Sequence, residues 1–85
     1  MVRVIVHDDA GRSLAALPRA LRRRLLTTCR ELLDDWGIGK PLEGRLHGHR
    51  ALRVGVYRII YVVKQGSQVE IVAIGHRKDI YERMK

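Results

Sequence analysis

The chain has 85 residues and carries 17 Lys and Arg against 9 Asp and Glu, which gives a formal net charge of +8. This length allows one domain, residues 1–85, with a single modest hydrophobic core. Hydrophobic residues make up 46% of the chain, which argues against a disordered tail. The basic composition favours an anionic partner. Because a guanidinium contacts phosphate through two parallel hydrogen bonds, the excess of Arg over Lys favours nucleic acid in particular.

The N-terminal sequence and the cysteine content indicate the expected compartment. The apolar run over residues 2–6 is interrupted by Asp8 and is too short for a signal-peptide core or a membrane span. Cys29 is the one cysteine, so no internal disulfide can form, and its apolar neighbours favour a buried, unreactive thiol. We therefore expect a cytoplasmic protein with no membrane partner.

The first half of the sequence predicts one strand followed by two helices. Residues 2–6 are mostly β-branched and predict a strand, which ends before the acidic pair that begins a helix over about residues 9–16. Pro18 is expected in the first turn of a second helix that runs to about Trp36. One arc of this second helix is apolar, with Leu21, Leu25, Cys29, Leu32, Leu33 and Trp36. We therefore expect an antiparallel helical hairpin with one apolar face.

The second half predicts a small antiparallel sheet. A loop rich in Gly and His over about residues 37–48 is followed by three segments of strand composition, which are Leu52 to Val54, Tyr57 to Val63 and Val69 to Ile74. Gly55-Val56 predicts a type II′ turn, and the run from Tyr57 is apolar enough for a central strand that is covered on both faces. With a short helix or tail over Arg77 to Lys85, the fold class is α+β: an N-terminal strand, a helical hairpin, and an antiparallel three-stranded meander.

Two arginines on either side of the predicted turn indicate a candidate site. Arg53 ends one strand and Arg58 begins the next, so the hairpin makes them near neighbours. Like charges in this arrangement repel, and a phosphate or another polyanion would relieve the repulsion. In the structural alternative, Arg53 extends to solvent while Arg58 pairs with a carboxylate, for which the candidates are Glu70, Asp79 and Glu82.

These residues lie in phrases that resemble a known family. The order of elements, with Leu52-Arg53-Val54-Gly55, Tyr57-Arg58-Ile59-Ile60-Tyr61 and Gly75-His76-Arg77-Lys78-Asp79-Ile80-Tyr81, closely resembles the RelE/ParE family of type II toxins over the whole chain. The resemblance implies a ribosome-dependent endoribonuclease that cleaves mRNA in the ribosomal A site without a metal or other cofactor. It also implies a cognate, RelB-like antitoxin that holds the toxin inactive, and operator DNA bound through the complex of the two.

The resemblance also implies roles for particular residues. The catalytic set carried over to this sequence is Arg53, Arg58, Arg77 and Tyr81, in which the arginines bind the scissile phosphate and Tyr81 is the general base. Neighbouring guanidinium groups would lower the pKa of a tyrosine and so favour its phenolate form. If the C-terminal segment is helical, Arg77 and Tyr81 lie one helical turn apart.

Three further residues are expected to contact RNA: Arg50, His76 and Lys78. His76 is also the alternative acid or base, since its unperturbed pKa is near 6.5. One position departs from the family pattern, because Ala51 stands where RelE-like enzymes usually carry a second basic residue. Arg50 could replace that residue only if the strand bulged.

Two other functions remain open at this point. The first is a ParE-like toxin that acts on DNA gyrase, and Ala51 mildly favours it. The second is a basic RNA-binding relative that has lost catalytic activity.

Overall fold

The computed structural model describes residues 1–84, and Lys85, the last residue of the expected C-terminal segment, lies outside the described residues. The strands and helices are β1 (Arg3–Val6), α1 (Asp8–Ala15), α2 (Arg19–Glu31), β2 (Lys40–Pro41), β3 (His49–Val54), β4 (Tyr57–Lys64), β5 (Gln68–His76) and α3 (Ile80–Arg83). The strands form one sheet in the order β1-β5-β4-β3-β2, in which β1 is parallel to β5 and the other neighbours are antiparallel. The predicted α+β class is confirmed.

The second helix is shorter than its apolar pattern predicted. The helix α2 ends at Glu31, so the predicted end at Trp36 is wrong. Asp35 adopts an extended backbone, and its carboxylate accepts a hydrogen bond of 2.9 Å from the N–H of Gly37, which begins a separate 3-10 turn over Trp36–Ile38. Among the described residues, no helix has both the length and the apolar composition needed to cross a membrane.

The sheet is covered on both faces by apolar residues. The helices α1 and α2 pack on one face, called here the helix face, where the buried core includes Leu14, Leu25, Cys29, Leu32, Ile59, Tyr61, Ile71 and Ile74. A smaller cluster on the opposite face, called here the pocket face, consists of Ala51, Ile60, Ala73 and Ile80. Three consecutive residues of β4, from Ile59 to Tyr61, are fully buried. The prediction that β4 is a central strand is therefore confirmed.

The predicted meander is confirmed as β3-β4-β5, but two of its details are wrong. The strand β3 begins at His49 rather than at Leu52, and the expected loop over residues 37–48 contains the two-residue strand β2 and a 3-10 turn over Gly44–Leu46. A proline has no N–H for a ladder hydrogen bond, so a segment containing Pro41 can only be an edge strand. The type II′ turn is confirmed, because Gly55 has a φ of +60° and Val56 does not have a positive φ.

The chain immediately before β2 is held by Tyr61 from the helix face. The hydroxyl of Tyr61 donates a hydrogen bond of 2.7 Å to the carbonyl of Trp36 and accepts one of 2.9 Å from the N–H of Gly39. Burial raises the pKa of Tyr61, so the hydroxyl keeps the proton that it donates. A Cβ atom at Gly39 would lie 2.4 Å from the Tyr61 hydroxyl oxygen, so only glycine fits at this position.

Candidate active site

The two arginines beside the hairpin turn are paired across the sheet. Arg53 and Arg58 are direct cross-strand partners, which confirms the predicted proximity. Arg53 is exposed, whereas Arg58 is 8% exposed and its Nη1 donates hydrogen bonds of 3.1 Å to the carbonyl of Gly55 and 2.9 Å to the carbonyl of Tyr57. Backbone carbonyls of the turn therefore hold the guanidinium in position, and both bonds use Nη1, which leaves Nε and Nη2 as donors for a ligand.

The structure contradicts one of the carboxylate partners considered for Arg58. Glu70 lies toward the other end of β4 and β5, where it contacts His7 at 2.8 Å, Gln68 at 2.8 Å and Lys64 at 3.4 Å. A pairing of Arg58 with Glu70 is therefore wrong. The His7 hydrogen bond is the largest of the causes that lower the pKa of Glu70 to about 2.

A pocket of about 240 Å³ opens on the pocket face beside this arginine pair. Its lining consists of Lys40, Leu42, Ala51, Arg53, Arg58 and Tyr81. Three of these side chains are cationic, one is a phenol that is 37% exposed, and the remaining two are apolar. Cations around a partly apolar pocket bind an anion more strongly than the same charges do in open water, because the local dielectric constant is lower.

The helix α3 brings Tyr81 to this pocket. Its first residue, Ile80, is fully buried against the pocket face, and Tyr81 follows it directly. The cross-strand partner of Arg58 on β5 is Gly75, where a Cβ atom would lie 3.1 Å from Cδ1 of Ile80. The absence of a side chain at Gly75 therefore lets α3 approach the sheet next to Arg58.

Lys40 is the pocket residue that sequence reasoning missed. It lies on β2, where its cross-strand partner is Ala51, and alternation along the strand puts Lys40 and Leu42 on the same face. The segment was predicted as a loop because two residues of strand next to a proline carry almost no local signal. The alternation of Lys40 and Leu42 around Pro41, a residue that sheets tolerate at an edge strand, is the sequence feature that indicates it.

The remaining catalytic candidate, Arg77, lies at the same end of the sheet but does not line the pocket. Its side chain is exposed, and its backbone N–H donates a hydrogen bond of 2.7 Å to the carbonyl of Val56 in the hairpin turn. The expected helical spacing between Arg77 and Tyr81 is wrong, because α3 begins at Ile80 and the preceding residues form a turn. Lys78 is exposed in that turn, with its N–H bonded to Nδ1 of His76 at 3.1 Å.

His76 and Arg50 lie away from this pocket. The ring of His76 meets the ring of its cross-strand partner Tyr57 edge to face, with 5.8 Å between centroids, on the side of the sheet that carries Ile74. The strand does not bulge at Arg50, whose guanidinium lies 5.5 Å from the Trp36 ring and donates a hydrogen bond of 2.7 Å to the carbonyl of Gly39. Both side chains therefore belong to the helix face.

A second basic surface adjoins the pocket. Arg53 also lines a shallow groove of about 470 Å³, together with Arg23, Arg24, Thr27, Thr28, Val54 and Gly55. Arg53 is the residue that lines both the groove and the pocket, so the two basic surfaces adjoin between β3 and α2. An extended polyanion such as single-stranded RNA matches this shape.

Comparisons with known proteins identify the family to which this fold belongs. A family sequence model described as the ParE toxin of the type II toxin–antitoxin system parDE matches residues 4–81. Toxin RelE of Mycobacterium tuberculosis is 31% identical in an alignment that covers 92% of this chain and 84% of that protein. The chain therefore belongs to the RelE/ParE family of type II toxins.

Solved structures that resemble the chain include RelE toxins in complex with their antitoxins. In the toxin–antitoxin complex RelBE2 from Mycobacterium tuberculosis, one chain matches with a TM-score of 0.82 at 28% identity, over 89% of this chain and 98% of that one. The intact RelBE toxin–antitoxin complex of E. coli matches with a TM-score of 0.75 at 16% identity, over 89% and 96%, and shows the shared fold alone. Within the family, the chain is a type II toxin of the RelE group.

Proposed function

We propose that this protein is a ribosome-dependent endoribonuclease that cleaves mRNA in the ribosomal A site. The observation that carries the proposal is the convergence of Arg53, Arg58 and Tyr81 on one pocket, with backbone carbonyls holding the buried Arg58. Such a set can bind a phosphodiester and accept a proton without a metal ion. The proposed substrate is cytoplasmic mRNA held by the ribosome, and the groove next to Arg53 extends the contact to neighbouring phosphates.

The proposed reaction is attack of a ribose 2′-hydroxyl on the adjacent phosphorus atom. The bond from O2′ to phosphorus forms, the bond from phosphorus to O5′ breaks, and the products are a 2′,3′-cyclic phosphate and a free 5′-hydroxyl. Arg53 and Arg58 stabilise the charge that develops on the non-bridging oxygens, and Arg77 approaches from the same end of the sheet when mRNA is bound. Tyr81, as its phenolate, takes the proton from O2′, and water donates a proton to the leaving O5′.

Tyr81 is preferred over His76 as the general base because of its location. Tyr81 lines the pocket with both arginines, whereas His76 lies on the helix face against Tyr57. His76 and Lys78 would contact RNA outside the pocket. The Arg50 guanidinium contacts the Trp36 ring and donates a hydrogen bond to the Gly39 carbonyl, so we assign it a structural rather than an RNA-binding role.

We also propose that a cognate, RelB-like antitoxin neutralises the protein. The similar chain from Mycobacterium tuberculosis was solved in a toxin–antitoxin complex, and the net charge of +8 suits an acidic partner. Operator DNA would then be bound through the complex of toxin and antitoxin.

The test is primer extension on a defined mRNA bound to purified 70S ribosomes. We expect cleavage within the A-site codon and none on the same mRNA without ribosomes. At saturating protein, Tyr81→Phe should cleave at least roughly 100-fold more slowly than wild type. Tyr57→Phe is the matched control, because it removes a hydroxyl from the helix face. Intact mRNA at a protein excess that arrests growth would contradict the proposal.

Inhibition of DNA gyrase is the second candidate, because the family model that matches residues 4–81 is described as ParE. A supercoiling assay with purified gyrase separates the two functions. Inhibited supercoiling together with intact ribosome-bound mRNA would favour the gyrase function. If neither target is affected and overexpression does not arrest growth, the protein is a non-catalytic relative.

A further inference from the structure

We propose that Lys40 is an additional catalytic residue, whose ammonium group contacts the scissile phosphate at the point where β3 offers only the methyl group of Ala51. This inference rests on the proposed nuclease function and adds a third cation to Arg53 and Arg58. Three observations support it: the register of β2, the hydrogen bonds that hold the chain before β2, and the ion pair of Lys64, for which Lys40 has no counterpart among residues 1–84.

The register of β2 aims Lys40 at the site. Lys40 and Ala51 are cross-strand partners, and partners on one face of an antiparallel pair have Cβ atoms about 5 Å apart. Ala51 is buried and small, so the longer stem of Lys40 has room to pass over it toward Arg58. Lys40, Ala51, Arg58 and Tyr81 accordingly line one pocket. A basic group from the neighbouring strand thus occupies the region that a long basic side chain at position 51 would reach.

The chain next to Lys40 is more firmly held than a surface loop. The residue before it, Gly39, is buried, with its N–H bonded to the hydroxyl of Tyr61 and its carbonyl bonded to Arg50. The residue after it, Pro41, has a fixed φ and pairs with Arg50 in the ladder. The stem of Lys40 therefore starts from a fixed backbone position, which is what a catalytic cation requires for a constant distance to the reacting phosphate.

Lys40 has no ion-pair partner in the part of the chain that the structure describes. By contrast, Lys64 at the far end of β4 lies 3.4 Å from Glu70. Lys40 instead adds its charge to a pocket that already contains two guanidinium groups. Three cations around one small pocket repel each other, and a bound phosphate oxygen relieves that repulsion. An ammonium group with three rotatable donors can follow that oxygen as the phosphorane forms.

The test moves the positive charge from position 40 on β2 to its cross-strand partner, position 51 on β3. Four variants are compared with wild type in single-turnover cleavage of ribosome-bound mRNA at saturating protein: Lys40→Ala, Lys40→Arg, the double variant Lys40→Ala with Ala51→Lys, and Lys64→Ala. Lys64→Ala is the matched control, since it removes the same charge from a strand end remote from the pocket. Urea unfolding of each variant shows whether a loss of rate follows from a loss of stability.

We expect Lys40→Ala to slow cleavage by roughly 10- to 100-fold, the size of effect seen for one charged hydrogen bond to a reacting group. Lys40→Arg should keep most of the rate, and the double variant should recover most of what Lys40→Ala loses, while Lys64→Ala matches wild type. A purely structural role for Lys40 would predict a lower urea midpoint and no recovery from Ala51→Lys.

The outcomes separate this inference from the proposed function. If wild type cleaves and Arg58→Ala does not, but Lys40→Ala matches wild type, the inference about Lys40 is overturned while the nuclease function stands. If wild type leaves ribosome-bound mRNA intact, the nuclease function fails. Titration with a dinucleoside phosphate, followed by NMR, then tests Lys40 alone: weaker binding to Lys40→Ala than to Lys64→Ala supports the phosphate contact, and equal binding overturns it.

Discussion

Substitution of Tyr61 by Phe removes one oxygen atom from the core and releases the chain that leads into β2. The hydroxyl of Tyr61 makes two hydrogen bonds, one to the carbonyl of Trp36 at 2.7 Å and one from the N–H of Gly39 at 2.9 Å. Gly39 is buried and Trp36 is half-buried, so the two freed backbone groups cannot both be solvated by water. The substitution therefore leaves unsatisfied polar groups without creating a cavity of any size.

The expected cost follows from these two groups. An unsatisfied buried donor or acceptor costs about 1–3 kcal/mol, and because the Trp36 carbonyl is closer to solvent we expect a total of about 2–4 kcal/mol. For a domain of this size, each kcal/mol corresponds to a fall of roughly 4–8 °C in Tm. Small domains have about 5–15 kcal/mol of stability, so the variant should still fold.

Equilibrium unfolding in urea measures this cost. We expect a lower midpoint with an unchanged slope, which indicates a change in stability without a change in the surface exposed on unfolding. Tyr57→Phe is the matched control, because it removes a hydroxyl from the same face of β4 that makes no hydrogen bond within the described residues. If Tyr61→Phe and Tyr57→Phe have the same midpoint, Tyr61 does not hold the segment before β2, and the argument for a fixed Lys40 loses its basis.

Two further predictions concern buried side chains. The pKa of Glu70 is lowered to about 2, chiefly by its hydrogen bond with His7, so its contribution to stability is present above the ordinary pKa of about 4.3 and is lost as the pH falls toward 2. The difference in urea midpoint between wild type and Glu70→Gln should therefore be largest near pH 7 and shrink below about pH 4, and a difference that is constant down to pH 3 would refute this reasoning. Burial raises the pKa of the Cys29 thiol to about 11, so a thiol reagent at pH 8 should modify the native protein slowly and the urea-unfolded protein at once. Rapid modification of the native protein would show that Cys29 is accessible.

Local signals predicted the arginine pair correctly. The Gly55-Val56 turn fixes the hairpin register through its own backbone chemistry, and that register alone makes Arg53 and Arg58 partners. The apolar run of β4 correctly predicted a strand that is covered on both faces. Successive residues of a strand point to opposite faces, and Ile59 and Ile60 are both fully buried.

Long-range contacts explain what the sequence did not predict. The strand β2 exists because Tyr61, about 20 residues away in the chain, bonds the backbone on its N-terminal side, and no local propensity of Lys40 or Pro41 encodes that contact. The start of α3 is likewise set by the burial of Ile80 beside Gly75. The prediction that Arg77 and Tyr81 lie one helical turn apart is wrong, because residues 77–79 form a turn and α3 begins only at Ile80.

The single-turnover cleavage rate of Arg58→Ala on ribosome-bound mRNA tests the central claim, which is that the pocket face performs the chemistry. Arg58 is the most buried cation of the pocket, and the carbonyls of the hairpin turn position it before any substrate binds. At saturating protein we expect a rate roughly 100- to 1,000-fold below wild type, with cleavage at the same codon. A rate equal to wild type in a variant that is folded and bound to the ribosome would contradict the account.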